Sequence, residues 1–392
     1  MGLSIERIEA LLLIAAVVSL LARKLRLPYT VGLVLTGIGL AVFPVTTDIR
    51  LTKDLIFNVF LPPLIFEAAF HMHWKELRRD LFPILILATI GVFLSAGLVA
   101  AGIHYFVGWE WATALLLAVL ISATDPVSVI ATFKEAGVKG RLQMLVEAES
   151  LFNDGTVAVL FAVALAAVNG GVVDPLQISQ SFFLTIFGGI LCGGAVAGLA
   201  LLLMGRTQDH LVEITFTTVA AYGSFLLAEH FHLSGVLATL TAGILVGNIG
   251  ALGVITDRGR DAVVSFWEYA GFVANSLIFL LIGLRLMDQP FGLVWLPALI
   301  IIALVLAGRA LAVYGCCIAF GRSRWRISWA HQHILFWGGL RGALALALVF
   351  GLPPSMPHSE AILTVTFAVV AFSVIVQGLT VTPLLRKVGE LK

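Results

Sequence analysis

Charge is what this 392-residue sequence has least of. Asp, Glu, Lys and Arg make up only 12% of it, about half the share of a soluble protein, while 60% is hydrophobic. With a mean hydropathy of +1.04, such a chain cannot clothe a globular surface, so a polytopic all-α membrane protein is expected. The net charge of +1 leaves no basic surface for nucleic acid. Cysteine is nearly as scarce: Cys192, Cys316 and Cys317 all fall in apolar runs and two are neighbours. Neither a disulfide framework nor a thiolate metal site is expected. Linkers, low-complexity stretches and soluble domains are missing too. No Gly-x-Ser-Gly segment and no His-Glu-x-x-His helix occurs, and neither Asp125 nor Asp154 lies in a Gly-Asp pairing. Rhomboid-like, zinc-protease and intramembrane aspartyl-protease readings are therefore excluded, and a non-enzymatic chain with no cofactor is expected.

What is there is a succession of apolar runs of about 18 residues or more, broken by short polar or Gly/Pro turns. They give about thirteen candidate spans, near 5–22, 29–45, 54–70, 81–106, 111–133, 141–168, 181–204, 212–230, 234–250, 261–285, 291–320, 329–351 and 360–386. The first run is followed, not preceded, by the basic residues Arg23, Lys24 and Arg26 and lacks a small-residue cleavage site, so it should stay as the first span. With the N-terminus outside, eighteen of the 24 Lys and Arg fall on inner loops; only Arg7, Arg50, Lys53 and Arg285 fall outside. The positive-inside rule thus predicts an outer N-terminus and a cytoplasmic C-terminus. Glycine pairs Gly189/Gly193, Gly194/Gly198 and Gly243/Gly247 point to close helix packing rather than a dimer motif.

Several polar groups sit where hydrocarbon is expected. In "EAESLFNDGTVAVLFAVAL", Ser150, Asn153 and Asp154 share one helix face at i, i+3 and i+4, and Glu149 pairs with Asn153 at i, i+4. Each acidic side chain at a helix centre costs ~3 kcal/mol, so Glu149 and Asp154 together consume ~6 of the ~5–15 kcal/mol that holds a typical protein folded. Function is the expected justification. Ser150 and Asp154 offer hard oxygens to a small cation, while Asn153 accepts and donates hydrogen bonds without taking a proton. Glu147, a turn nearer the cytoplasm, reads as interfacial. Glu67, in "FLPPLIFEAAFHMHW", is a further buried acid that could face the same cavity.

Two spans carry breaks. In "LISATDPVSVIATF", Asp125-Pro126 resembles a helix N-cap followed by proline at the first helical position, so the fifth span should restart in mid-membrane and free the carbonyls before it. In "FWGGLRGALALALVFGLPP", Gly338, Gly339 and Gly342 weaken the twelfth span around Arg341, an intramembrane cation that needs a carboxylate partner. Irregular backbone at this depth is tolerated where it lines a polar cavity. Breaks at matching places in two six-span halves point to an inverted-repeat transporter. Arg309 reads as a structural pairing or snorkelling residue rather than a ligand, and the pairs His71/His73 and His331/His333 as interfacial rather than metal-binding.

The segments "SATDPV", "EAESLFNDG" and "WGGLRGALALAL" resemble the signatures of the monovalent cation:proton antiporters of the bacterial NhaP and eukaryotic sodium–proton exchanger type. "LPPLIFEAAF", "LAEHFHLSGVLATLTAGILVGN", "FLLIGL" and "VQGLTVTPLL" extend the resemblance over nearly the whole chain. It implies a thirteen-helix homodimer in a bacterial inner membrane. A core bundle (81–168 and 291–386) with two crossing broken helices, spans five and twelve, would slide against a scaffold (5–70 and 181–285). It implies Asp154 as the carrier of cation and proton, Asn153 as its neutral partner, and Ser150, Glu67 and the Thr124 carbonyl as further ligands. Asp125, before Pro126, would cap the broken helix, and Glu149 would pair with Arg341. The long cytosolic regulatory tail of eukaryotic exchangers is not present, so hormone- or calmodulin-type control is not expected. Because burial disfavours the charged form of a carboxylate, a proton and a small cation should compete for the same oxygens, giving electroneutral one-for-one exchange of Na+ for H+. Li+ or K+ in place of Na+, a K+/H+ antiporter included, and a sodium-coupled solute symporter are the alternatives; a channel, which needs rings of ligands, is not.

Overall fold

The computed structural model describes residues 5–25, 27–42, 51–125, 129–130, 133, 138, 140–168, 175–353 and 356–391. In chain order its helices are α1 (Ile5–Leu25), α2 (Tyr29–Ala41), α3 (Lys53–His71), α4 (Trp74–Val107), α5 (Trp111–Leu120), α6 (Arg141–Val168) and α7 (Pro175–Met204). There follow α8 (His210–His230), α9 (Gly235–Val254), α10 (Asp257–Leu286), α11 (Phe291–Ala319), α12 (Trp329–Trp337), α13 (Ala343–Phe350) and α14 (Ser359–Lys387). Among the described residues, nine of them are each long and apolar enough to cross a membrane. Among the described residues the only strand-like pairing is a single antiparallel bridge, Asp125 to Leu340. Helices prevail because in a bilayer each N–H and C=O must find its partner within the segment. Their starts are set by short polar side chains: Asp209, Ser234 and Ser328 accept from the backbone N–H groups of Leu211, Leu237 and His331. Gly108, with φ of +82°, closes α4 in the left-handed conformation that glycine adopts without strain.

The twelfth apolar run is interrupted as its glycines predict. α12 stops at Trp337 and α13 starts at Ala343. In the fifth run α5 stops at Leu120 and residues 121–125 leave the helical path; the restart expected at Pro126 lies outside the described residues.

The chain divides into two compact units. The first comprises Met1–Ile56, Phe82–Asn153 and Asn275–Lys392. Within it the Phe82–Val107 part of α4 packs on α5 and α11, α11 and α13 pack on α14, and α2 meets the end of α10 at a glycine pair, Gly37 and Gly283. The π-helical turns Leu87–Gly91 and Leu311–Gly315 pack against each other.

The second unit comprises Phe57–Leu81 and Asp154–Ala274. Here α9 is the central helix, gripped by glycines on two sides. A Cβ at Gly189 of α7 would lie 2.7 Å from the Ser234 carbonyl oxygen, and one at Gly193 would strike that of Ala238. A Cβ at Gly243 would lie 2.6 Å from Ala69, and one at Gly247 would strike the Phe70 carbonyl. Gly198 faces open space, so its pairing with Gly194 marks no contact. Packed beside this seam, Phe66 meets Trp267 with ring centroids 4.5 Å apart, and the Trp267 indole donates to Thr217 Oγ1 at 2.9 Å. The buried Glu213 carboxylate holds the start of α10, accepting from Thr256 N and Oγ1 at 3.0 and 3.2 Å.

Such close backbone approach leaves no room for a side chain. Gly193→Val is expected to destabilise the protein by about 1–3 kcal/mol through overpacking, lowering the melting temperature in detergent. Gly198→Ala, which meets nothing, should hold or raise it. Equal melting temperatures for the two variants would contradict this packing.

Candidate functional site

The polar cluster of the first unit is built from the backbone outward. Where α5 ends, the carbonyls of its last turn lose their helical partners. The Arg341 guanidinium supplies donors there: Nη1 lies 3.3 Å from both the Ser122 and Ala123 carbonyl oxygens. The extended residues that follow dock on the interruption between α12 and α13, the Asp125 N–H donating to Leu340 O at 2.7 Å. This places the Asp125 carboxylate directly beside Gly342, in space that any Cβ at 342 would occupy. Gly342 is the residue before α13, so a negative side chain lies at the positive end of that half-helix. Glycine is required at 342 for this approach and not merely to weaken the helix.

A second arginine serves the other half-helix end. Arg309 of α11 donates from Nη2 to Leu335 O, in the last turn of α12, at 2.9 Å. The same guanidinium takes both oxygens of Glu149, at 2.7 and 2.9 Å. Both residues are buried, 5% and 1% exposed, so the two charges compensate each other in a low-dielectric setting. This corrects the pairing of Glu149 with Arg341: Arg309 fills the whole carboxylate, and Arg341 turns instead to the carbonyls after α5. The sequence contains two intramembrane arginines and gives no distance from either to Glu149. Arg309 stands in an apolar run, and the energetic cost of a lone cation there was the one available sign that it too demanded an acid.

On α6 the buried turn holds Glu149, Ser150, Asn153 and Asp154. The Thr124 hydroxyl donates to Ser150 Oγ at 3.3 Å, joining two of the sequence-predicted residues. Asp154 lies one turn further along the same helix, and the helix period sets its side chain on the Ser150 face. The Asn153 Oδ1 is buried without a hydrogen-bond partner among the described residues. Ser150 and Thr124 thus bring two hard oxygens together within the first unit, and Asp154 is the residue of α6 at which the second unit begins. Glu67 belongs to the second unit, half-buried on α3, where the Cβ that Gly271 lacks would come within 3.4–3.6 Å of its side chain. His71 donates from Nδ1 to the Glu67 carbonyl at 2.8 Å and lies 3.7 Å from its carboxylate. Pro126 falls outside the described residues.

Other interfacial groups have structural partners. His331 Nε2 meets Glu390 at 3.1 Å, His333 meets the Tyr314 hydroxyl at 2.6 Å, and Arg141 at the start of α6 donates to the carbonyls of Trp325 and Arg326 at 3.4 and 2.9 Å.

Comparison with known proteins adds an independent line. Residues 11–387 match the family profile described as the transmembrane sodium/hydrogen exchanger. The chain is 39% identical over 369 residues to the Na+/H+ antiporter ApNhaP of Aphanothece halophytica, a match covering 93% of this chain and 70% of that protein. It is likewise 39% identical to the low-affinity Na+/H+ antiporter NhaS1 of Synechocystis over 91% of this chain and 68% of the relative. The Na+/H+ antiporter NhaP of Pseudomonas aeruginosa is 34% identical, over 93% and 92% of the two chains. Among solved structures, that of the sodium proton antiporter MjNhaP1 of Methanocaldococcus jannaschii at pH 8 superposes with a TM-score of 0.75 at 20% identity, covering 98% of each chain. This likeness is one of fold.

The Arg309–Glu149 contact is directly testable. Removing either partner strands a buried charge at about 3–5 kcal/mol, whereas removing both is milder. Melting of Glu149→Gln, Arg309→Gln and the double variant in detergent should show the double losing less than the sum. Simple additivity would count against the contact.

Proposed function

The chain belongs to the sodium/hydrogen exchanger family, and on that premise we propose that it exchanges Na+ for H+ across the membrane by alternating access to a buried carboxylate site. The observation that carries the chemistry is the buried turn of α6, where Ser150 and Asp154 share one helix face and Thr124 Oγ1 bonds to Ser150. Asp154 carries the cation in one direction and the proton in the other. Its oxygens can hold one or the other, so each crossing of the loaded form returns the opposite ion. Ser150 and the Thr124 carbonyl serve as neutral ligands, and Glu67 as a further acid of the site. Asn153 supports Asp154 without titrating, and Asp125, with Pro126 after it, fixes the backbone turn.

The exchange is electroneutral, one H+ for one monovalent cation. Glu149 is engaged by Arg309 through two charge-assisted bonds that take both of its oxygens, and arginine does not serve as a proton carrier. One titrating carrier then remains. Relatives named as Na+/H+ antiporters favour Na+ over K+ and favour exchange over sodium-driven solute uptake. We further infer an integral bacterial inner-membrane protein of thirteen spans in inverted repeats, with its N-terminus outside. It acts as a homodimer, with a core carrying the interrupted helices and a scaffold that stays fixed. It is a transporter and not an enzyme.

In proteoliposomes with an imposed pH gradient, Na+ should collapse the gradient, and Asp154→Asn should abolish this while the protein remains folded and inserted. Substantial Na+-dependent proton flux in that variant would remove Asp154 from its role.

Stoichiometry is tested separately by clamping the membrane potential with K+ and valinomycin while a pH gradient drives Na+. An uncompensated charge would couple at ~2.3 kcal/mol per 100 mV. The final Na+ gradient should not move with the clamp; a shift would mean more than one proton per cation.

A further inference from the structure

The interruption of the twelfth run leaves backbone groups that the helices on either side do not satisfy. Two partners come from α14. The Arg341 N–H donates to Ser373 Oγ at 3.0 Å, and the Ser373 hydroxyl donates in turn to Gln377 Oε1 at 2.5 Å. The other end of the same amide, Gln377 Nε2, donates to Trp337 O at 3.1 Å. One closed chain of hydrogen bonds therefore joins the last residue of α12 to the first charged residue beyond it. Both side chains are buried, 1% and 3% exposed, and neither has a place in the mechanism above.

Their presentation is itself built in. Ser373–Gln377 is a π-helical turn within α14, and the extra residue of such a turn re-aims the side chains around it; these turns recur at functional sites. Through Leu340, whose carbonyl accepts from Asp125, and through Arg341, which holds the Ser122 and Ala123 carbonyls, the clamped segment is bonded to both sides of Thr124.

We propose that Ser373 and Gln377 are positioning residues of the exchange reaction: they fix the interrupted segment so that Thr124 keeps its geometry as a cation ligand. This rests on the reading of Thr124, Ser150 and Asp154 as the cation site. Loss of the clamp loosens a neutral ligand and leaves the carrier carboxylate intact, so Na+ affinity falls while proton affinity stays.

The experiment measures Na+-dependent proton flux in proteoliposomes as a function of Na+ and pH, for the wild type, Ser373→Ala, Ser373→Thr and Gln377→Leu. Ser373→Ala and Gln377→Leu should raise the apparent KM for Na+ roughly tenfold, the scale of one lost buried hydrogen bond. Because protons compete for the site, the acid limb of the pH profile should move up by about one unit. Ser373→Thr, which keeps the hydroxyl, should restore both values toward wild type. If Gln377→Leu does not fold, the serine pair carries the test alone. An unchanged KM and an acid limb in place, with only the melting temperature lowered, would overturn the proposal and leave a structural bond. Absence of exchange by the wild-type protein would instead sink the exchange reading, and this inference with it.

Discussion

The bidentate bond between Arg309 and Glu149 is the interaction on which the polar interior of the first unit depends. A helix broken within hydrocarbon exposes carbonyls at its C-terminal end, and no water is at hand to take them. Here each exposed end receives a guanidinium, Arg341 at the end of α5 and Arg309 at the end of α12. Two buried cations need compensating charge, and Glu149 answers for Arg309 through both of its oxygens. Arginine suits both places because its planar fork of donors bonds several oxygens at once, whereas a lysine offers a point charge that burial readily neutralises.

The second unit solves a different problem. Helices in lipid gain nothing from burying apolar side chains against one another, since the tails around them are equally apolar, so their association rests on close contact. Glycines on α7 and α9 allow backbone to meet backbone, and the bulky aromatic core of Phe66, Phe70 and Trp267 fills the space beside that seam.

Much of this was readable in advance, for identifiable reasons. Apolar runs mark helices because the bilayer permits little else, and the glycines around Arg341 announced a break because three of them within five residues cannot sustain a helix. The acidic turn of α6 stood out because its desolvation is too costly to be incidental. The partner of Glu149 was not legible, since one acid and two arginines admit two pairings and spacing along a chain carries no distance. The roles of Ser373 and Gln377 were hidden in an ordinary apolar segment. A glycine pair likewise does not reveal which face meets a neighbour: Gly189/Gly193 seals a contact, and Gly198, five residues later, does not.

Five π-helical turns occur among the described residues, at Ile56–Phe60, Leu87–Gly91, Ile103–Val107, Leu311–Gly315 and Ser373–Gln377. Each stores one residue more than an α-helical path of the same rise needs. Membrane helices are usually thought intolerant of insertions and deletions, because one residue added or removed rotates all that follows by about 100°. A π turn confines that rotation to a single loop of backbone. In an alignment of relatives, a one-residue gap inside a span of this protein would therefore be a record of a turn gained or lost, and the spans would drift in length without the helix beyond changing the face it shows its neighbours.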